Sequence, residues 1–236
     1  MIIKNEIPIL EYDEMLCEKN GTLYGIGVGP GDPDLLTLKA VKVLAAADVI
    51  ACPAKGDSPG IAYQIAALAY PGISGKERLL LNFPMKKGDQ IEAHQKAAKQ
   101  IESQLQVGKK VAFLTLGDPG FYSTFSYISA IVKRKGFEID IINGVPSFCA
   151  AAARLQIPIA AGEESVMITT GEFCDFDGTL IVMKAGNNLK ALKKEVETRQ
   201  KSAYLVENVG MKDERVYNGV INIPDQTGYF SILIVV

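Results

Sequence analysis

Hydrophobic and polar residues alternate in two different ways along this chain. In the first part, short apolar runs are separated by stretches in which apolar residues recur with helical spacing. The runs that we predict to be strands are TLYGIGVG, DVIACPA, RLLLNFP, KVAFLTLGDP and EIDIING. Because strands joined by helices pair in parallel through crossover connections, the pattern predicts an open, mainly parallel α/β sheet over residues 22–143.

After Asn143 strands become more frequent than helices. A small-residue helix, VPSFCAAAARLQ, precedes one further helix, NLKALKKEVETRQ, and the strands SVMITTGE, GTLIVMKAG, KSAYLVENVG, ERVYNGVINIP and YFSILIVV. This pattern predicts a second α/β domain with a mixed sheet over residues 144–236, packed against the first through a short connection. Residues 1–21 are predicted to be an extension that precedes the core.

Composition narrows the possible partners. The chain has 236 residues, 48% of them hydrophobic, and a formal net charge of −2, with no basic run typical of nucleic-acid binding. No apolar run approaches the roughly 20 residues that span a bilayer. The N-terminal stretch MIIKNEIPILEYDEMLCEKN is acidic where a signal peptide is basic. We therefore expect a cytoplasmic protein that binds neither nucleic acid nor membranes.

Cysteine and histidine usage argues against a metal site. The four cysteines, Cys17, Cys52, Cys149 and Cys174, are scattered without C-x-x-C spacing, and His94 is the only histidine. We therefore predict no metal-binding residues, and no catalytic triad that uses a histidine other than His94.

A glycine-rich segment, YGIGVGPGDPDLLTLKA, links the first predicted strand to the first predicted helix. Its glycines would let another molecule approach the backbone closely, and they are Gly25, Gly27, Gly29 and Gly31. Asp32 or Asp34 is a possible cap for a helix that we predict to begin near residues 33–36. Pro30 replaces the third glycine of a dinucleotide motif, and an acidic Asp32 disfavours phosphate. The segment predicts either a close-approach loop for another ligand or a tight turn without one.

A second segment, FLTLGDPGFYST, repeats the order of strand, turn and helix. Because the carboxyl ends of parallel strands meet at one edge of a sheet, the two loops are predicted to wall a common cleft. Asp118 then either offers its carboxylate to hydroxyls or a cation, or caps the following helix. Ser123 and Thr124 would add polar contacts. In a third segment, NGVPSFCAAAA, Ser147 is the predicted N-cap of a tightly packed helix.

Together these segments resemble the tetrapyrrole methylases, which use S-adenosylmethionine. GIGVGPGDPDLLTLKAVKVLAAADVI is similar to the N-terminal signature of that family, and LGDPGFYST is similar to its central Gly-Asp-Pro-x-x-Tyr motif. GVPSF, IVMKAG and ENVGMKDERV follow in the family's order, so the resemblance covers nearly everything after residue 21. GYFSILIVV and LTLGDPGFYSTFSYI are most similar to the branch that methylates C20 of precorrin-2, or of its cobalt-loaded form, in cobalamin synthesis. One position departs from the family pattern: this chain has Asn143 where many members have proline before the glycine.

The resemblance implies a two-domain α/β fold with the methyl donor in the cleft between the domains and S-adenosylhomocysteine as product. The first loop, with Pro30 and Asp32, would line the cleft beside the tetrapyrrole and touch the donor. The implied neighbours of the methionine and ribose are Leu116, Gly117, Asp118 and Phe121, with Ser123 and Thr124 close by. Those implied for the adenine side are Ser147, Phe148, Met183, Glu207, Asn208 and Phe230. By residue type alone, Met183 fits core packing equally well.

The implied reaction transfers a methyl group to a meso carbon of a reduced tetrapyrrole. The sulfonium of the donor is already activated, so the reaction needs mainly alignment and no nucleophilic side chain or histidine base. The candidates for orienting the macrocycle or accepting the final proton are Asp32, Glu207 and Tyr229. Any cobalt would arrive within the substrate.

The substrate carboxylates need cationic partners, for which the available residues are Arg154, Lys184, Lys212 and Arg215. The resemblance also implies a homodimer, with the charged helix 89–106 less buried than the apolar faces of other helices. Two alternatives stay open. The chain could be another enzyme of the same fold, such as a uroporphyrinogen methylase or a diphthine synthase, or a non-catalytic module that binds a metabolite.

Overall fold

The computed structural model describes residues 21–83 and 89–236. The extension predicted over residues 1–21 therefore lies outside the described residues, apart from Gly21. Where the chain is described, no helix is both long enough and apolar enough to cross a membrane.

The first sheet is built from the strands predicted for the first domain. Its strands are β1 (Thr22–Gly27), β2 (Val49–Lys55), β3 (Ser58–Pro59), β4 (Glu77–Asn82), β5 (Val111–Thr115) and β6 (Glu138–Ile142). Parallel pairing gives the order β4-β2-β5-β1-β6, and the short β3 turns back to pair antiparallel with the end of β2. The predicted open, mainly parallel sheet is therefore confirmed.

Four helices cover the two faces of this sheet. They are α1 (Leu38–Ala46), α2 (Ile61–Ala69), α3 (Gln90–Leu105) and α4 (Phe125–Lys133). Leu44 of α1 and Ile65 of α2 pack with one face, while Ile101 of α3 and Ile128 of α4 pack with the other. Helix α3 is long and charged, but its apolar residues recur every three to four positions, so only one stripe is buried.

The first helix begins later than the sequence predicts. Residues Pro33–Leu35 form a single 3-10 turn, in which the Asp32 carboxylate accepts a hydrogen bond from the Asp34 N–H at 2.9 Å. Leu36 is extended, and α1 then starts behind Thr37, whose Oγ1 accepts from the Ala40 N–H at 3.1 Å. The two caps divide what the periodicity predicts as one helix.

The second half forms a separate mixed sheet. Its elements are α5 (Ser147–Leu155), β7 (Val166–Thr170), β8 (Thr179–Met183), α6 (Leu189–Thr198), β9 (Ala203–Glu207), β10 (Arg215–Asn218) and β11 (Ser231–Val235). The strand order is β10-β9-β11-β8-β7, antiparallel except between β7 and β8. Helices α5 and α6 pack on opposite faces. The predicted two-domain α/β architecture is confirmed.

Ser147 is not the N-cap of α5, contrary to the sequence prediction. Pro146 occupies that position in extended conformation, and Ser147 is the first helical residue. Because proline has no side-chain acceptor, α5 begins without a side-chain cap.

Candidate functional site

A cavity of about 550 Å³ lies between the two sheets. The ends of β1, β2 and β5 border it from the first half, and the end of β8 and the start of β11 border it from the second. Its lining is mainly apolar with a few polar groups, and its size is typical of small-molecule sites. Most of the predicted donor contacts line it, namely Pro30, Leu116, Gly117, Asp118, Phe121, Ser123, Thr124, Ser147, Met183 and Phe230.

The two predicted loops meet in the first-half wall, and we call Gly29, Pro30, Leu116 and Gly117 the backbone wall, of which the last three line the cavity. The Gly29 N–H donates to the Gly117 carbonyl at 3.2 Å, and the Gly117 N–H donates to the Gly29 carbonyl at 2.8 Å. Both glycines have positive φ, 73° and 74°. The two predicted loops thus meet, and the hydrogen bonds hold them at a fixed separation.

Three glycines of the first glycine-rich segment allow other parts of the same chain to approach its backbone closely. A Cβ on Gly27 would come within 2.7 Å of the Gly144 Cα and 2.6 Å of the Gly117 carbonyl oxygen. A Cβ on Gly25 would strike the Phe125 ring, and one on Gly31 would meet Val209 and Gly210. Pro30 of the same segment borders the cavity, while Gly25, Gly27 and Gly31 serve packing within the protein. They allow three backbone segments to pack together behind the cavity.

The Asp118 carboxylate is hydrogen-bonded by the chain itself, which the sequence did not predict. It is 7% exposed, and its two oxygens accept from backbone N–H groups, Gly120 at 2.7 Å and Gly144 at 2.9 Å. Asn143 Nδ2 adds a third donor at 3.3 Å. The carboxylate therefore does not cap α4, and it joins the β5 loop to the segment that connects the two halves. It still borders the cavity.

Ser123 and Thr124 lie at the start of α4, beside the cavity. Ser123 is buried, its Oγ lies 2.8 Å from Thr115 Oγ1, and it accepts from the Phe125 N–H at 3.1 Å. Ser123 Oγ thus accepts from the N–H of the first residue of α4, whereas Thr124 is the N-cap residue. Thr124 borders the cavity without a side-chain cap bond.

The second-half wall is made of large side chains, and we call Met183, Lys184, Met211, Tyr229 and Phe230 the side-chain wall. The ring of Tyr229 stands edge-on to that of Phe230, with centroids 5.3 Å apart. Val209 and Ser147 complete the lining nearby. This wall supplies apolar surface and most of the flexible groups.

Four predicted site residues do not line the cavity. Asp32 is occupied in capping the 3-10 turn, and Phe148 is buried behind Phe121, to which it packs edge-on at 5.1 Å.

Glu207 is 8% exposed, and its Oε1 accepts from the Gly228 N–H at 2.7 Å. Asn208 has φ 54° and points its Nδ2 at the Asp213 carbonyl. Of the three predicted catalytic candidates, only Tyr229 borders the cavity.

The four candidate cations also differ in whether they line the cavity. Only Lys184 does. Arg154 forms an ion pair with Glu214, whose other oxygen accepts from the Gly210 N–H at 2.8 Å. Lys212 and Arg215 are exposed outside the cavity.

Sequence reasoning missed several lining residues. Pro53, Ala54, Ile61 and Ala62 enter from β2 and α2, because β2 ends at the same edge as β1 and β5. Tyr122 lies within the quoted Gly-Asp-Pro motif but was not singled out. It has φ 47°, and its hydroxyl donates to the Ile168 carbonyl on β7 at 3.0 Å, which links the two halves. Only fold topology or a motif comparison signals such positions.

Two thiols in the described part of the chain, those of Cys52 and Cys149, are not activated as nucleophiles. Burial raises the pKa of the Cys52 thiol to about 11, although Arg78 partly opposes this. Burial also raises the pKa of Cys149, and the Asp118 charge adds to the effect. Burial lowers the pKa of His94, which stacks on Tyr127 rather than lying in the cavity. The site is built for binding and alignment rather than covalent catalysis.

Comparison with known proteins agrees with this geometry. The family model of the Tetrapyrrole (Corrin/Porphyrin) Methylases matches residues 22–223. A relative from Methanocaldococcus jannaschii, named a probable cobalt-precorrin-2 C(20)-methyltransferase, is 36% identical over 222 residues, covering 90% of this chain and 95% of the relative. A precorrin-2 C(20)-methyltransferase from Sinorhizobium sp is 27% identical, covering 91% of this chain and 95% of the relative.

A solved structure shares the fold. It is the uroporphyrin-III C-methyltransferase of Thermus thermophilus in complex with S-adenosylhomocysteine, and it superposes with a TM-score of 0.68. The match covers 91% of this chain and 97% of that chain at 20% identity.

Proposed function

The chain belongs to the tetrapyrrole (corrin/porphyrin) methylase family, and we propose that it methylates C20 of precorrin-2 or of its cobalt-loaded form in cobalamin biosynthesis. The methyl donor is S-adenosylmethionine, and the product of the donor is S-adenosylhomocysteine. The observation that carries the proposal is the cavity, where most of the donor contacts predicted from both halves meet.

The residues present fit such a donor. The cavity volume of about 550 Å³ suits an adenosyl ligand, and the apolar side-chain wall suits an adenine ring and a thioether chain. Polar atoms for ribose and amino-acid groups are available on the backbone wall and on Ser123, Thr124 and Ser147. Within the described residues, no three His, Cys, Asp or Glu converge to hold a metal. Any cobalt in the reaction belongs to the substrate.

In the proposed reaction, C20 of the macrocycle supplies the electron pair of the new C–C bond to the methyl group, and the S–C bond of the donor breaks with its electron pair on sulfur. C20 then loses its proton to a base in the cleft or to water. The backbone wall fixes one side of the reacting pair, and the side-chain wall excludes water from the other. Alignment of this kind supplies a large share of the roughly 7–11 kcal/mol that orientation can contribute. Tyr229 is the predicted catalytic candidate that borders the cavity, and we assign to it the orientation of the macrocycle near C20.

The test is methyl transfer from donor labelled with ¹³C in the methyl group. Wild-type protein is incubated anaerobically with precorrin-2 and with its cobalt-loaded form, and the product mass and the ¹³C position are determined. We expect one added methyl at C20, with faster transfer to the cobalt-loaded form, a preference that the higher identity to the cobalt-precorrin-2 relative supports. Uroporphyrinogen III and diphthine precursors serve as competing acceptors. Transfer only to one of these, or to none, contradicts the assignment.

Three further proposals accompany this function. We place the domain boundary at residues 143–144, which the absence of a shared strand between the two described sheets supports. We propose a homodimer, supported by exposed apolar side chains such as Leu68 on α2 and Leu38 on α1. We also propose a cytoplasmic location, which the biosynthetic role supports. Light scattering at micromolar concentration tests the dimer, and a monomeric mass would contradict it.

A further inference from the structure

Lys184 is a charged group in the cavity whose role is not explained by the fold. Among the described residues that line the cavity, only Asp118 and Lys184 are charged, and the Asp118 oxygens accept hydrogen bonds from the chain itself. Lys184 forms no salt bridge with any residue in the described ranges. An ammonium on a cavity wall without a counter-ion can form a charge-assisted hydrogen bond with a bound anion.

The ring of Tyr229 holds the Lys184 ammonium in place. The nitrogen lies 5.5 Å from the ring centroid. A ring face attracts a cation through its quadrupole but supplies neither a negative charge nor a strong hydrogen-bond acceptor. The full positive charge and the three N–H donors of the ammonium are therefore still available to a ligand.

The backbone at Lys184 is strained. Its φ and ψ are 56° and 35°, the left-handed region that glycine adopts readily and lysine rarely does. The residues that follow, Ala185 and Gly186, are fully buried, and a Cβ on Gly186 would come within 2.8 Å of the Thr227 carbonyl. The tight turn is therefore required by packing, whereas a lysine side chain at its start is not. Strain of this kind is characteristic of functional positions.

The segment that carries Tyr229 is fixed by the same packing. Glu207 accepts a hydrogen bond from the Gly228 N–H at 2.7 Å, and Ser231 Oγ donates to the Gly228 carbonyl at 2.8 Å. Glu207 is thus a positioning residue for the Tyr229 segment. Lys184 and Tyr229 form a preorganised pair on the side-chain wall.

We propose that this pair binds one peripheral carboxylate of the acceptor macrocycle, with Lys184 as the cation. The inference rests on the proposed function, since it requires a tetrapyrrole acceptor. The carboxylate of the methyl donor has the same chemistry, but two observations favour the acceptor. Tyr229 is 44% exposed, so the pair lies at the open side of the cleft. Phe121 and Tyr122, which also line the cavity, are 41% and 53% exposed, so a flat macrocycle can lie along this open side.

The decisive variant is Lys184→Gly, because function and stability should respond in opposite directions. Glycine relieves the backbone strain, so the melting temperature should not fall. Loss of a charge-assisted hydrogen bond should raise the acceptor KM by about 10- to 100-fold. The kcat should change less than about threefold, since alignment at the reacting carbon uses other groups. Calorimetry should give an unchanged affinity for S-adenosylhomocysteine, and Lys184→Arg should restore much of the acceptor affinity.

Two matched controls separate strain from charge. Gln200 also has a left-handed backbone, φ 54°, but lies beyond α6 and outside the cavity, so Gln200→Gly should leave both substrates' KM values unchanged. Lys190→Ala removes an exposed lysine of α6 and should also leave them unchanged. An unchanged acceptor KM in Lys184→Gly would overturn the inference. A loss of S-adenosylhomocysteine affinity as large as the loss of acceptor affinity would assign Lys184 to the donor carboxylate instead.

A binding measurement keeps this inference separate from the proposed reaction. Uroporphyrin, a stable macrocycle with peripheral carboxylates, is titrated into wild type and Lys184→Gly while its fluorescence is followed. About tenfold or greater weakening in the variant supports the carboxylate site even if wild type methylates none of the acceptors tested. Equal binding by both proteins rejects the site even if methylation is observed.

Discussion

The two walls of the cleft differ in the groups that form them. The backbone wall presents glycine and proline, and its shape is set by main-chain hydrogen bonds between two loops of one sheet. The side-chain wall presents two methionines, a lysine and two aromatic rings from a mixed sheet and its loops. The first wall is therefore rigid and has little chemical variety, whereas the second carries the charge and the adaptable apolar surface.

This difference indicates where specificity resides. Substitution of the two glycines of the backbone wall is disfavoured because both have positive φ, a conformation that side-chain-bearing residues rarely adopt. A wall made of side chains can exchange one group for another while the fold persists. We therefore expect substitutions in the backbone wall to alter stability first, and substitutions in the side-chain wall to alter ligand preference first.

The largest effect is expected where three backbone segments meet behind the backbone wall. In Gly27→Ala the new methyl would lie about 2.5–2.7 Å from atoms of Gly144 and Gly117, all of them backbone. Because backbone cannot move aside as a side-chain tip can, we expect a loss of about 3 kcal/mol or more in the free energy of unfolding. Urea denaturation measures it.

Gly75→Ala is the matched control for that change. A Cβ on Gly75 meets no atom within 4 Å, so its stability should stay close to wild type. Equal stability of Gly27→Ala and Gly75→Ala would show that the backbone behind the wall can shift to accommodate a methyl group. It would contradict the expectation that substitutions on this side alter stability first.

The second effect concerns Asp118, which supports the backbone wall through its carboxylate. Asp118→Ala leaves the N–H groups of Gly120 and Gly144 without their buried acceptor, so we expect a loss of about 2–3 kcal/mol in unfolding free energy. Donor affinity should fall as well, because the β5 loop borders the cavity. Urea denaturation and calorimetry with S-adenosylhomocysteine measure the two losses. Asp57→Ala, an exposed aspartate in the β2–β3 turn, is the control.

The result for Asp118 departs from what the sequence suggested. At a loop tip, a carboxylate is expected to serve a ligand more than the fold. The structure shows it buried between two backbone segments that are far apart in sequence, Gly120 and Gly144. A stable Asp118→Ala protein with lost donor affinity would restore the sequence-based expectation.

Sequence periodicity predicted the fold well because strand and helix patterns are local. The parallel pairing of strands in the first sheet and the mixed second sheet both followed from alternation and connection length. Details that depend on distant partners were not predictable, such as Glu207 holding Gly228 or Asp32 being used within its own turn. Most of the donor contacts that the family resemblance implied line the cavity, but the resemblance gave no account of which side chains were already engaged with the protein.

The third effect concerns Tyr122, which connects the two halves of the chain. Tyr122→Phe removes the hydrogen bond to the Ile168 carbonyl and leaves the ring in place. Because this bond is exposed, stability should fall by only about 0.5–1 kcal/mol. The KM for the donor should rise a few-fold, since the relative position of the halves becomes less fixed. Steady-state kinetics measure it, and Tyr127→Phe, on the outer face of α4, is the control. Equal kinetics in the two variants would remove Tyr122 from the link.

The smallest expected effect is a pH dependence of stability. It arises at Glu214, which fixes the turn that carries Met211 of the side-chain wall. Burial of Glu214 raises its pKa, but the hydrogen bond from the Gly210 N–H and the hydrogen bond and charge of Arg154 together outweigh burial. The pKa of the folded protein is therefore held below the unfolded value of about 4.3. A lowered pKa contributes stability that is present above the unfolded pKa and is lost as pH falls through the folded pKa.

We therefore expect Glu214→Gln to narrow the difference in unfolding free energy between pH 6 and pH 3. The Glu214 side chain is 18% exposed and its partner Arg154 62% exposed, so solvent weakens the pair and we expect about 1 kcal/mol at most. Urea denaturation of wild type and variant at both pH values measures it. Because Glu214 fixes the turn that carries Met211, donor affinity should weaken slightly in the same acid range. An identical pH dependence in both proteins would show that this turn is held by packing alone.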